Sequence, residues 1–159
     1  MRTMQEAAED FLAQRRVAVA GVSRDSRQPA NAIYRRLREG GRQVYAVNPM
    51  AETLEGDPCY PRLSAIQSEV DAVVIATRPE AAEQIVRECV KLGIRRVWMH
   101  RGIGQGSVSA VATQIGRSAG ITVIDGACPL MYIEPIDFFH RCGRWFMGIT
   151  GRLPHPDRP

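Results

Sequence analysis

Five short apolar or β-branched runs punctuate the chain, at Val17–Val22, Val44–Val47, Ala72–Ala76, Arg96–Met99 and Thr122–Ile124. Each has the length and character of a strand buried on both faces. The stretches between them carry helical spacing instead, at Ala30–Glu39, Glu80–Leu92 and Ser107–Ala119, and Glu6–Gln14 reads as a short leading helix with Phe11 and Leu12 as its apolar contacts. Gly40-Gly41, Gly93 and Gly120 follow three of these segments and mark their ends. Regular β-α alternation requires right-handed crossovers. The pattern therefore predicts an α/β domain of three layers, a mainly parallel five-stranded sheet with helices on both faces.

Two stretches break the rhythm. Met50–Gln67 is expected to be mostly loop wrapping the sheet edge, interrupted by Gly56, Pro58 and Pro61, with one helical turn near Leu63–Ile66. After Leu130 the alternation stops. Residues 1–130 thus form the predicted domain, and 131–159 an extension without the size of a second one. Within it Phe138–Met147 gathers Phe138, Phe139, Trp145 and Phe146 and is expected to be an ordered apolar element that completes the core or a dimer seam. The Pro-rich end from Pro154 reads as a mobile tail.

Composition changes this picture little. At 159 residues with 24% charged positions the chain suits one ordinary soluble domain. Its net charge of +4 rests on arginine, since Lys91 is the lone lysine among 21 basic residues. The arginines are scattered, which argues against a nucleic-acid surface. There is no apolar run of membrane-spanning length and no signal-like start, so a cytoplasmic location is expected, with no membrane partner. Cys59, Cys89, Cys128 and Cys142 lie far apart and read as reduced thiols rather than disulfide or metal ligands.

In an open parallel sheet, ligands bind beyond the carboxyl ends of the strands, where strand order reverses. Those ends offer Gly21, Val22, Ser23 and Arg24 after the first strand and Val47, Asn48 and Pro49 at the second. The third gives Thr77, Arg78 and Pro79, and the fourth His100 and Arg101. Arginines, hydroxyls, glycine turns and helix starts together fit phosphate oxygens. Gly21 permits a tight turn, and Ser23 offers its hydroxyl and its backbone N–H to a pyrophosphate. A nicotinamide dinucleotide site, however, places an Asp or Glu about 20 residues past its glycine turn to bind the adenosine ribose. Here Asn48-Pro49 stands in that region.

Gly21-x-Ser23, Val47-Asn48-Pro49, Gly56-x-x-x-Tyr60, Val70-Asp71, Arg78-Pro79-Glu80, Val97-Trp98-Met99 and Ala119-Gly120, extended by Asp125 and Cys128-Pro129, resemble the stand-alone CoA-binding proteins. Those are similar to the N-terminal CoA-binding domain of the succinyl-CoA synthetase alpha subunit. The resemblance covers about residues 15 to 130. It implies a Rossmann-like fold that binds coenzyme A, with the pyrophosphate at Gly21–Ser23 and the adenosine near Val47–Pro49, Thr77–Pro79 and His100. The family often has Gln where His100 stands, and an Arg and a Ser where this chain has Gln28 and Ala30. Arg24 and Arg27 are candidates to restore that positive charge.

Chemistry beyond binding finds little support in the sequence. His100 has no neighbouring carboxylate to orient it as a base. Cys128 reads as a structural thiol, and Glu134, Asp137 and His140 as the polar face of a helix rather than a metal site. The phosphohistidine domain and nucleotide-grasp subunit of the synthetase relatives have no counterpart in this chain. The expected function is binding of CoA or an acyl-CoA without catalysis. Two alternatives stand beside it: an NAD(H)-binding redox sensor or oxidoreductase, and a protein-interaction module with a vestigial nucleotide pocket. A homodimer is compatible with any of them.

Overall fold

The computed structural model describes residues 2–156. Among them seven strands form one sheet: β1 (Arg16–Ala20), β2 (Gln43–Val47), β3 (Thr53–Leu54), β4 (Asp57–Tyr60), β5 (Ala72–Ile75), β6 (Arg96–Met99) and β7 (Thr122–Asp125), in the order β3-β4-β2-β1-β5-β6-β7. All neighbours are parallel except β3 and β4. The five expected strands are present, but the sheet has seven. The added pair lies in the segment expected to be loop. Glu55 and Gly56 both take positive φ, 53° and 82°, and so make a tight hairpin turn. Glu55 is held there by Asn31 Nδ2 at 2.7 Å and Arg35 Nη1 at 2.8 Å, which donate to its carboxylate.

There are five helices among the described residues: α1 (Met4–Leu12), α2 (Pro29–Glu39), α3 (Pro79–Leu92) and α4 (Ala110–Ser118) pack on the sheet, and α5 (Phe138–Ile149) lies against the segment around Met131 and Tyr132. One-turn 3-10 helices occupy Leu63–Ala65 and Pro129–Met131. Successive residues of β1 face opposite layers. Val17 and Val19 join α1 and α2 through Phe11, Ile33, Tyr34 and Leu37, whereas Ala18 and Ala20 join α3 and α4 through Ala82, Val86 and Ala112. Trp98 is fully buried, packs edge-on to Phe11 and Tyr132, and donates its Nε1–H to Gly126 O at 2.9 Å.

Helix boundaries follow local chemistry. Thr3 and Glu6 form a reciprocal capping box, so α1 starts two residues before the expected Glu6. Ser109 accepts from Ala112 N and starts α4 later than the expected Ser107, whose hydroxyl instead donates to Thr77 O at 2.7 Å. The aromatic segment is the ordered helix α5, yet none of its residues is buried. It does not complete the core. In the expected mobile tail, Pro154 and His155 line a surface cleft, and residues 157–159 lie outside those described.

Candidate functional site

Chain order moves outward from β1 in two directions, to β2 and β4 on one side and to β5, β6 and β7 on the other. The reversal between β1 and β5 leaves a crevice at their carboxyl ends. An open cleft of about 1050 Å³ lies there. Of the expected site residues, Gly21, Ser23, Asn48, Pro49, Thr77, Arg78, Pro79 and His100 line it.

Gly21 fixes the floor. Its φ is +101°, and a Cβ built on it would stand 2.2 Å from Ala76 O. Both the backbone conformation and the close approach of β5 therefore require glycine. The chain then turns, with Gly21 N donating to Val47 O at 3.0 Å, and enters the loop before α2. That loop is clamped by Asn31, a buried polar residue in the first turn of α2. Its Oδ1 accepts from Ser23 N at 2.9 Å while its Nδ2 donates to Ser23 O at 2.7 Å.

This clamp corrects the expected role of Ser23. Its backbone N–H is already given to Asn31 and its hydroxyl accepts from Asp25 N at 3.1 Å, which leaves the hydroxyl proton as its donor to a ligand. Val22 is fully buried and Val47 nearly so, and both contribute to the core. Arg24 reaches across to Met50 O at 2.6 Å, and Arg27 folds back on Asp25 at 2.9 Å. Neither replaces the missing charge through a free guanidinium. Arg101 also departs from expectation. Its Nε donates to Gly104 O at 2.8 Å, and it lines a neighbouring cleft of about 960 Å³ together with Arg117, Asp125, Arg152 and His155.

Asn48 takes the region where a ribose carboxylate is usual in dinucleotide domains. Its Nδ2 donates to Val22 O and its Oδ1 accepts from Met50 N, both at 2.8 Å. The side chain ties two loops together and supplies no anion. Arg78 is exposed at the start of α3 and, among the described residues, makes no side-chain hydrogen bond or ion pair. His100 walls the cleft beside the glycine turn at 102–106. Burial, and then the charge of His140, lower its pKa, so the ring is held neutral.

Sequence reading missed Pro29, Met50, Ala81, Gly106 and Ser107, which also line the cleft, as do Gln28 and Ala30, noted in the sequence only as departures from the family's Arg and Ser. A usable signal was present in the two prolines. Pro29 and Pro79 each open a helix, and their N-cap residues Gln28 and Arg78 make no side-chain cap. The other helices, α1, α4 and α5, are capped by Thr3, Ser109 and Asp137. The two uncapped starts are those that face the cleft; their prolines have no N–H and Asn31 N–H donates to Gln28 O at 3.0 Å, so the amides of Ala30, Glu80 and Ala81 are the ones left for an anion.

The thiol of Cys128 is buried and pushed up to about 11, chiefly by burial and further by Asp137, so it is a poor nucleophile at neutral pH. No group of three or more His, Cys, Asp or Glu residues is placed to hold a metal among the described residues. Asp137 instead caps α5 and holds the His140 ring at 2.6 Å. No described helix is long and apolar enough to cross a membrane.

The sequence pattern of the CoA binding domain family matches residues 15–134, which hold the switch point and Gly21. The chain belongs to that family. Among relatives, it is 33% identical over 88 residues to acetate–CoA ligase (ADP-forming) II of Archaeoglobus fulgidus, a match covering 54% of this chain and 13% of the ligase. The chain thus spans a small part of the length of the ligases it matches. A protein from Thermus thermophilus superposes with a TM-score of 0.67 at 30% identity, over 80% of this chain and 93% of that one. The dinucleotide-forming acetyl-coenzyme A synthetase 1 of Ca. Korarchaeum cryptofilum superposes with a TM-score of 0.60 at 27% identity, over 69% of this chain and 25% of the synthetase. Chains of this fold therefore occur both as small proteins and as parts of larger synthetases.

Proposed function

We propose that the protein binds coenzyme A or an acyl-CoA in the β1–β5 cleft and acts by binding rather than by catalysis. The observation that carries this reading is the pair of uncapped helix starts, α2 and α3, on either side of Gly21. Their amides and the Arg78 guanidinium converge on space that a pyrophosphate fills, and the missing Cβ of Gly21 lets the ligand approach the backbone. Asn48 and Pro49 line the same cleft beside β2, where the adenosine is expected. Family membership supports CoA as the guest.

Against an NAD(H) reading stand the internal use of both Asn48 polar atoms and the lack of a carboxylate beside them. Against catalysis stand the lack of a carboxylate to orient His100 and a Cys128 thiol kept protonated by burial. Calorimetric titration with CoA, acetyl-CoA, NAD and ADP tests the reading directly. CoA or its thioester is expected to bind at least about tenfold more tightly than NAD, a difference of about 1.4 kcal/mol. Tighter binding of NAD overturns it.

A further inference from the structure

Helix α5 is amphipathic in the wrong sense for a helix lying on its own domain. At 3.6 residues per turn, Phe138, Phe139, Cys142, Trp145, Phe146 and Ile149 share one arc of about 120°. That arc faces water: Phe138 is 81% exposed, Phe139 78%, Trp145 67%, Phe146 51% and Ile149 62%. The opposite arc holds the helix to the body. Gly143 lies against Met131, Arg144 donates to Met131 O and stacks over the Tyr132 ring at 5.2 Å, and Met147 packs at the edge of the core.

We propose that this apolar arc is the interface of a homodimer, in which α5 pairs antiparallel with α5 of a second copy about a twofold axis near Cys142. Three observations single out a second copy as the occupant. The arc carries the four-three-four spacing of a helix-pairing seam at 138, 142, 145 and 149, and a twofold axis lets one such seam pack on itself. Taking about 200 Å² for a fully exposed large side chain, the five exposed residues offer roughly 700 Å² per copy. Two copies together then reach the scale of a stable specific interface, about 1,200–2,000 Å². Charge agrees as well. Glu134 and Asp137 stand at the amino end of α5 and Arg152 follows its carboxyl end, so antiparallel pairing sets each acidic end beside the second copy's arginine and aligns the helix dipoles favourably.

Cys142 lies at the middle of the arc and is exposed, whereas Cys59, Cys89 and Cys128 are buried. It is a built-in reporter for the axis. Light scattering of the full chain at micromolar concentration is expected to give twice the chain mass. A short bismaleimide should trap a covalent dimer of the wild type but not of Cys142→Ser. Trp145→Asp and Phe139→Asp, both at exposed positions, should each raise the dimer dissociation constant by about a hundredfold or more while circular dichroism stays unchanged. A monomeric wild type overturns the proposal, as does a dimer that survives both aspartates or a dimer whose Cys142 thiols resist the cross-linker. A monomer that sediments with phosphatidylglycerol vesicles, and loses that binding in Trp145→Asp, also overturns it by assigning the arc to a lipid surface. None of these readouts depends on CoA binding.

Discussion

At the amino ends of the central strands, charge is matched side chain to side chain. Arg16 holds Asp71 at 2.6 Å and Glu69 at 3.1 Å, and Arg96 holds Asp10 at 2.8 Å. At the carboxyl ends of β1 and β5, a few residues away along the same strands, α2 and α3 start without side-chain caps and Arg78 makes no ion pair among the described residues. One end of the sheet satisfies its charged groups in pairs, and the other leaves two helix starts and Arg78 without side-chain partners. Polar groups that are exposed and aimed together cost little in water, but they repay an anion that replaces that water. The difference teaches where to look for function in such a sheet: at the end where local chemistry is left incomplete.

The most severe way to break the comparison is at Gly21, where the two halves of the switch point touch. Gly21→Val adds a branched side chain at a positive φ, with its Cβ 2.2 Å from Ala76 O in the present backbone. We expect CoA binding to be lost altogether and folding stability to fall by about 2–4 kcal/mol. Calorimetric titration and thermal unfolding measure the two effects. Unchanged affinity in a folded Gly21→Val protein places the phosphates elsewhere.

Asn31→Ala comes next. It removes the side chain that satisfies both Ser23 N–H and Ser23 O and also supports Glu55 in the hairpin turn. Leaving a buried polar group without its partner costs about 1–3 kcal/mol. The released Ser23 amide should be free to turn elsewhere, so the loop loses its fixed form and CoA affinity falls along with stability. Denaturant unfolding should register the stability loss, and titration the affinity loss. An intact affinity means that the ligand does not rely on this loop.

The central prediction is a crossed pair. Arg78→Ala should weaken CoA binding by about 1.5–3 kcal/mol, with the loss shrinking as salt is raised, and leave thermal stability unchanged. Asp71→Asn should do the reverse, because the Arg16 hydrogen bonds that hold Asp71 below its ordinary pKa serve the fold and lie at the far end of the sheet. Measuring affinity and melting temperature for both variants sharpens or dissolves the contrast. If each variant changes both quantities equally, the two ends do not divide the labour.

Much of this was legible in sequence, and what was hidden has physical reasons. Burial on both faces gives β1, β2, β5, β6 and β7 continuous apolar runs, so their positions agree with expectation to within a residue or two. The β3–β4 hairpin was hidden because its strands are short, one contains Pro58, and its turn uses Glu55-Gly56 where Asn-Gly is the familiar signal. At the site, strand ends located the cleft, but side-chain direction did not follow from them. Arg24, Arg78 and Arg101 look alike in sequence, yet the first bonds a carbonyl in the next loop, the second stands clear and the third turns to its own glycine loop. Nor did composition disclose that α5 presents its aromatics outward, since helical spacing states which residues share an arc but not which arc meets the body.

The smallest expected effect concerns pH, and it separates the two ends by the range in which each responds. Asp10 and Asp71 have lowered pKa values, chiefly from their hydrogen bonds to Arg96 and Arg16. Their stabilisation is present above the ordinary carboxylate value of 3.8 and is lost as pH falls below it. His100 is also lowered, by burial first, from an ordinary value of 6.5. Because the unfolded chain takes up that proton more readily than the folded one, its stabilisation is present above pH 6.5 and declines as pH falls from there toward the depressed folded value. The wild type should therefore lose a little thermal stability just below pH 6.5, well before the carboxylates respond. His100→Gln, which keeps a polar side chain at the cleft wall, should flatten that first decline and leave the second, more acidic one in place. Melting curves at closely spaced pH values decide the matter. An identical slope below pH 6.5 in the variant would assign the decline to another group and remove His100 from the comparison.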